Sequence, residues 1–463
     1  MPEETLSQKL ANHCAALRLE QIPPAVIDAA KLHILDSIGC ILAGSRLEPG
    51  RRAYQLAMVL SDHGGASTLV GTPARVNYLD AVQAMATAAH CGELDDIHGG
   101  AGTCIGGMIV PALLAVAEKY GGTGKRFLEA AIAGYETIAR VGLAIDAPQL
   151  FARGWWPSTV CGAFGVAAAG AKLLDWPAEK IVNALGVASL HCGGMLTGGQ
   201  EGATARNLAF GSAAKNGVLA LLATEQGLTG PKLAFEDRRG FCATLSAAPR
   251  WEFLQNFGEY YLLEVAFKPY PCARQLHAGV EALLRLMARY AIAPEQIGAI
   301  ELALPTQNAA MVNRPATPTL RAATLGSGQY VMAVTALRAT IDLRSFEDEF
   351  LRSEKVHALM EKVTVSHNEE LDRHFPKYWS GRVTVKLTAG QVHTEQIMAP
   401  KGESENPVTR DDVEEKFIGL AAPVIGEGKP RAVIDRVYSL DTLETLADLL
   451  DEIRILAPVS GES

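Results

Sequence analysis

From residue 20 to about 265, apolar side chains recur at three- and four-residue intervals. After Ile22-Pro23-Pro24, the positions Val26, Ala30, Ile34, Ile38 and Leu42 fall on one face and Gly44 closes the run, which predicts a helix entered through proline and left through glycine. The same spacing predicts helices near 76–91, 107–120, 125–145, 158–174, 178–191, 204–227 and 274–290. Gly162, Ala163, Gly165, Ala167 to Ala169 and Gly170 place small residues along one of them, so neighbouring backbones can approach closely. An all-α helical bundle is the expectation for this part.

After residue 265 the period changes. Ala299 to Leu304 and Lys362 to Val365 alternate, and Val383, Val385 and Leu387 lead through Ala389-Gly390 into Gln391 to Ile397, which reads as a β-hairpin. A smaller α+β domain follows from this texture. From Thr409 the pattern is helical again: Thr409 with Asp412 resembles a capping box, and Leu440, Leu443, Leu446, Leu450 and Ile453 share a face. By pattern alone these last helices either complete the α+β domain or rejoin the bundle.

Composition narrows the functional classes. The 463 residues are 48% hydrophobic and 20% charged, enough for two or three packed domains. No apolar run reaches the roughly 20 residues needed to cross a bilayer, so no membrane partner is expected. Met1-Pro2-Glu3-Glu4 lacks the basic and apolar regions of a secretory signal, and the expectation is a cytoplasmic protein. Eight cysteines without a C-x-x-C or paired Cys/His spacing suggest neither a zinc site nor a disulfide framework; no metal is expected. A net charge of −9 argues against nucleic acid, yet leaves room for a local basic pocket that takes an anion.

Four segments concentrate chemistry. The first is His90-Cys91-Gly92-Glu93-Leu94-Asp95-Asp96-Ile97-His98, followed by a Gly-rich turn to Cys104. Crowded carboxylates and imidazoles can supply a base, an acid or an orienting anion. The second is Phe267-Lys268-Pro269-Tyr270-Pro271, with Arg274 and His277 just beyond; burial of Lys268 at a domain junction would depress its pKa toward that of a general base. In the third, Gly198 to Asn207, a glycine turn precedes a helix and Arg206 can grip a carboxylate. The fourth, Arg153 to Thr159, carries Trp155 and Trp156 as possible pocket walls. No nucleophile elbow, dinucleotide fingerprint or H-E-x-x-H helix is present, so no cofactor is expected.

Leu32 to Cys40 with Leu42-Ala43-Gly44, the Leu94-Asp95-Asp96-Ile97-His98 loop running to Pro111-Ala112-Leu113, Gly134-Tyr135-Glu136 and Phe267 to Pro271 together resemble the MmgE/PrpD family. The resemblance spans nearly the whole chain. It implies a mainly α protein in which 1–265 and 410–463 form one helical domain, 266–409 an inserted α+β domain, with the active site between them and a homodimer as the assembly. It further implies cofactor-independent chemistry on a small di- or tricarboxylate, opened by removal of a proton α to a carboxylate. Lys268 would be the base or the returning acid. Asp95, Asp96, His98 and Cys104 would share the catalytic wall, and Glu93, Trp155, Arg206, Arg274 and His277 would meet the substrate.

The family includes 2-methylcitrate dehydratase, cis-aconitate decarboxylase and iminodisuccinate epimerase, and this chain departs from the first two at telling places. Glu93 stands where they have Asp, Ile97 where they have Thr, and Cys104-Ile105 where they have a His-Pro pair. Trp155 matches a histidine, Arg206 a lysine, and a tyrosine falls near Met311. Of the positions compared, Lys268 alone is retained, which disfavours cis-aconitate decarboxylation. The expectation is a hydratase- or dehydratase-type lyase, with a dicarboxylate epimerase and a catalytically silent carboxylate-binding protein as alternatives.

Overall fold

A computed structural model describes residues 4–62 and 64–455. The chain is mainly α, 59% helical, with one small sheet-bearing part. Helix Pro24–Gly44 carries proline at its first turn, where the missing N–H has no helical partner to lose. Its Ile34, Leu35, Ile38, Ile41 and Leu42 are fully buried. Around it stand Tyr78–Cys91, Gly106–Tyr120 and Gly124–Ala144, with Pro157–Leu173 lying between Gly124–Ala144 and Ala205–Glu225. The small residues act as the pattern suggests: a Cβ added at Gly165 would lie 2.2 Å from Ile138 Cγ1 and 2.6 Å from the Gly134 carbonyl.

The second part is built on a four-stranded sheet. Ile297–Leu304 pairs in parallel with Val363–His367 and antiparallel with Gly381–Leu387, which pairs in turn with Val392–Ile397. Helices His277–Tyr290 and Gly328–Arg338 pack against it. Its core, from Cys272 to Ile397, is separate from the larger one. Helix Arg410–Ile425 lies along Pro24–Gly44, and Val413, Phe417, Ile434 and Leu449 join the larger core. On these two cores we propose that the final helices belong with the bundle.

Short helices at Leu6–Ala16 and Glu48–Leu60 went beyond the pattern read from the sequence. All eight cysteines are free. Among the described residues, no helix is long and apolar enough to cross a membrane.

One tight point fixes the acidic loop. Asp96, fully buried, accepts hydrogen bonds at Oδ1 from the backbone N–H groups of Ile105 (3.2 Å) and Gly106 (2.8 Å), and at Oδ2 from the Tyr135 hydroxyl (2.6 Å). It thus occupies the free N–H groups that open helix Gly106–Tyr120. At Gly106 a Cβ would fall 2.2 Å from the Tyr135 hydroxyl and 2.7 Å from Asp96 Oδ2. Gly106→Ala is therefore expected to destabilise the protein by about 1–3 kcal/mol through overpacking. Gly419→Ala, in the exposed interior of helix Arg410–Ile425 with open space around it, is expected to stabilise by about 0.5–1 kcal/mol. Denaturation midpoints of the two variants against the parent check both signs.

Candidate active site

A two-stranded ribbon sets the geometry of the site. Ile97–His98 pairs antiparallel with Val265–Ala266, so the chain that leaves the ribbon delivers Lys268 directly to the acidic loop. The loop itself begins where helix Tyr78–Cys91 stops, with Glu93 held at φ 52°, a left-handed conformation uncommon for a side chain of this kind. Between the two cores lies a narrow cleft with a cavity volume of about 90 Å³, enough for several waters or a small acid. The acidic loop contributes His90, Glu93, Ile97 and Cys104 to its wall. Trp156, Ser158 and Arg206 come from the bundle, and Lys268, Arg274, Gln275, Met311 and Arg314 close it from the other side.

Lys268 is 1% exposed. Its Nζ stands 3.2 Å from Glu93 Oε2, 3.5 Å from Asp95 Oδ1 and 3.6 Å from Cys104 Sγ. Burial opposes its charge, but Cys104, Asp95 and Glu93 outweigh burial and raise its pKa. Burial and the Asp95 charge push the Cys104 thiol well up, so at neutral pH the two carboxylates carry the effect. The expectation of a depressed lysine is thereby corrected: Lys268 is an ammonium ion. Glu93 is its counterpart. Burial would raise its pKa, but Arg206 at 2.7 Å and Lys268 pull it well below the usual carboxylate range. Arg206 in turn lies 4.5 Å above the Trp156 ring, a cation–π contact that fixes the guanidinium.

Several expected site residues stand elsewhere. Asp96 faces away from the cleft, tied to helix Gly106–Tyr120, with His33 Nδ1 2.9 Å from its Oδ2. His98 is on the ribbon, behind the wall; its Nδ1 accepts from the Ala101 N–H (3.1 Å), and burial lowers its pKa to about 4. His277 is also behind the wall: Nδ1 meets Arg274 Nη1 at 3.1 Å and Nε2 the Cys272 carbonyl at 3.2 Å. A carbonyl only accepts, so Nε2 carries the hydrogen and the ring is neutral, consistent with the pKa that burial and Arg274 hold well below normal. Arg274 does line the cleft, but its guanidinium is committed to Glu403. Trp155 lies in a neighbouring apolar groove with Val160, Leu190 and Phe241; Trp156 is the tryptophan of the cleft.

Two further residues belong to the cleft, His90 and Arg314. His90 lines the cleft, and its Nδ1 lies 2.9 Å from Asp95 Oδ2. Arg314 sits in an irregular stretch with no periodic signal, and its Nη1 reaches across to donate to the Gly199 carbonyl at 2.8 Å. Donor atoms of His90, Asp95 and Cys104 come within 4.8 Å of one another, a grouping their sequence spacing hides. A metal there would meet the Lys268 ammonium and a thiol that resists ionisation, so the set suits the lysine better than a divalent ion.

These charges define a pH test. Glu93, depressed when folded, contributes stability that is complete above about pH 4.3 and is lost as the pH falls through its folded value. Lys268, raised when folded, contributes fully below about pH 10.4 and loses that contribution only at higher pH. Glu93→Gln strips Arg206 and Lys268 of a shared counter-ion and is expected to cost about 3–5 kcal/mol. Melting curves should show a deficit that is flat from about pH 5 to 9 and shrinks in stronger acid; a deficit growing in acid would contradict the assignment.

Residues 8–254 match the MmgE/PrpD N-terminal domain and residues 270–441 the MmgE/PrpD C-terminal domain. A cis-aconitate decarboxylase-like protein of Aspergillus oryzae is 29% identical, over 100% of this chain and 98% of its own length. A cis-aconitate decarboxylase of Aspergillus terreus is 28% identical over 96% and 95%, and that of Homo sapiens 28% over 95% and 93%. With both domains matched in order along the chain, the protein belongs to the MmgE/PrpD family, a membership that supports a lyase-type enzyme.

Proposed function

We propose that the cleft binds a small di- or tricarboxylate and performs a lyase reaction on it. Water or another small group is added or removed across a Cα–Cβ bond, after loss of a proton α to a carboxylate. Arg314 carries this reading. Its guanidinium donates to the carbonyl oxygens of Gly199 and Met311, and among the described residues no carboxylate forms an ion pair with it. Burial, then the nearby Arg206 charge, lowers its pKa. A dianionic ligand would supply the missing counter-charge and could bridge Arg314, Arg206 and Lys268, groups that also stabilise the enediolate formed when the α-proton leaves.

As an ammonium ion, Lys268 suits protonation of a leaving group or of a carbanion rather than abstraction of the first proton. The relatives' names point to a tricarboxylate-sized acid. Decarboxylation of cis-aconitate is disfavoured because Ile97, Cys104, Arg206 and Met311, all on the cleft wall, stand where the decarboxylase branch carries Thr, His, Lys and Tyr.

Incubation with malate, fumarate, citrate and cis-aconitate in D2O, followed by NMR, tests the reaction class. Appearance or loss of alkene signals with α-deuteration is expected. Deuteration with inversion alone would move the assignment to an epimerase, and thermal stabilisation by an acid that never exchanges would indicate a binding protein.

Two variant sets test the residue roles in steady-state assays. Lys268→Ala is expected to lower turnover by at least about 100-fold. Arg314→Gln is expected to raise KM about 10–100-fold with a smaller effect on kcat, whereas Trp155→Ala should leave both near the parental values.

A further inference from the structure

We infer that His90, oriented by Asp95, is the base that takes the substrate's α-proton, facing Lys268 across the same small space. This deepens, and rests on, the carboxylate-lyase reading above. His90 ends helix Tyr78–Cys91 and is 1% exposed. Its ring stacks on Phe210 (centroids 4.3 Å apart, planes at 12°) and lies 5.2 Å from Trp156, so two aromatic rings confine the imidazole. Nδ1 is 2.9 Å from Asp95 Oδ2. A carboxylate accepts, so that nitrogen carries the hydrogen, and in the neutral ring the lone pair is then on Nε2.

Nε2 is the atom without a partner. Among the described residues it makes no hydrogen bond, and the carboxylate oxygen Glu93 Oε1 lies 3.6 Å away. His277 has both ring nitrogens bonded, whereas His13 and His98, away from the cleft, leave Nε2 without a partner as His90 does, so the empty nitrogen counts only for where it stands. Here the empty acceptor belongs to a ring that lines the cleft.

Other candidates for the base are worse placed. Lys268 is already protonated, the Cys104 thiol resists ionisation, and His98 is behind the wall. Asp95 ties the pair together, since its Oδ2 holds His90 and its Oδ1 lies 3.5 Å from Lys268 Nζ.

The proton balance is complete without a further reactant. The Nε2 lone pair forms a bond to the α-hydrogen, and the C–H electron pair moves into the carboxylate as an enediolate. That pair then forms the Cα–Cβ double bond and expels the β-substituent. The departing hydroxide takes a proton from Lys268 and leaves as water. Imidazolium and neutral amine return to their starting states by proton exchange with solvent, and hydration runs the same steps backwards.

Two measurements decide the proposal. Long-range 1H–15N spectra of histidine-labelled protein, assigned by difference with His90→Gln, need no substrate. An Nδ1–H tautomer with bare Nε2 is expected, and its loss in Asp95→Asn is the signature of a positioning residue. An Nε2–H tautomer in the parent would overturn the proposal, whether or not any acid proves to be a substrate.

The second measurement follows α-proton exchange in D2O with whichever of malate, fumarate, citrate or cis-aconitate the parent acts on. His90→Gln is expected to lose at least about 100-fold in exchange while the acid still raises its melting temperature. Exchange at the parental rate in folded His90→Gln would also overturn the proposal. A parent inert to all four acids would count against the lyase reading alone, with the tautomer still deciding His90.

Discussion

The buried ammonium of Lys268 is the constraint from which the site follows. Removing such a charge from water costs several kcal/mol, so carboxylates must be buried with it, and Glu93 and Asp95 are. They in turn require a loop that cannot drift. Asp96 holds that loop from behind, through Tyr135 and the free N–H groups of helix Gly106–Tyr120. Lys416 holds it from the side, donating to the Leu94 carbonyl at 2.7 Å while pairing with Asp36 at 2.6 Å. The closing helix Arg410–Ile425 is thus coupled to the acidic loop as well as to the bundle. Adjacent acids in one short segment serve opposite purposes: Asp95 turns to Lys268 and His90, Asp96 into the scaffold.

The wall opposite is held by a comparable set of contacts. Arg274 is clamped by Glu403 and backed by neutral His277, and the Phe267 N–H donates to the Gly402 carbonyl at 3.1 Å. This pins the segment carrying Lys268 to the 402–406 turn. Arg314 spans from the smaller core to Gly199 of the larger one. The cleft therefore exists only while both parts are in register, and its cations come from both. An acid bound between Arg206 and Arg314 would strengthen that register, linking ligand binding to closure of the two parts.

The chemistry proposed for the cleft needs an acid and a base kept apart in a poorly solvated place. Lys268 is kept charged by its carboxylates, and His90 is presented through Asp95. A single aspartate that touches both lets one fixed charge orient the base and hold the acid protonated.

Much of the architecture was legible in the amino-acid order, because it depends on local periodicity. The helix in Pro24–Gly44, the hairpin Gly381–Leu387 with Val392–Ile397, and the small residues of Pro157–Leu173 each follow from spacings within a few residues. The chain also marked Glu93, Asp95, Cys104, Arg206 and Lys268 as residues of interest; the cleft wall holds four of them, and Asp95 stands behind it against Lys268. What the sequence could not fix was direction and partner. Asp95 and Asp96 are indistinguishable as letters, as are Trp155 and Trp156, yet only Asp95 meets Lys268 and only Trp156 lines the cleft, because adjacent residues point different ways once the backbone is set. The charge of Lys268 was beyond sequence too, since a pKa depends on what lies within a few ångströms, and Glu93 is 175 residues away. His90 and Arg314 gained their roles only when the ribbon and the two cores brought distant segments together.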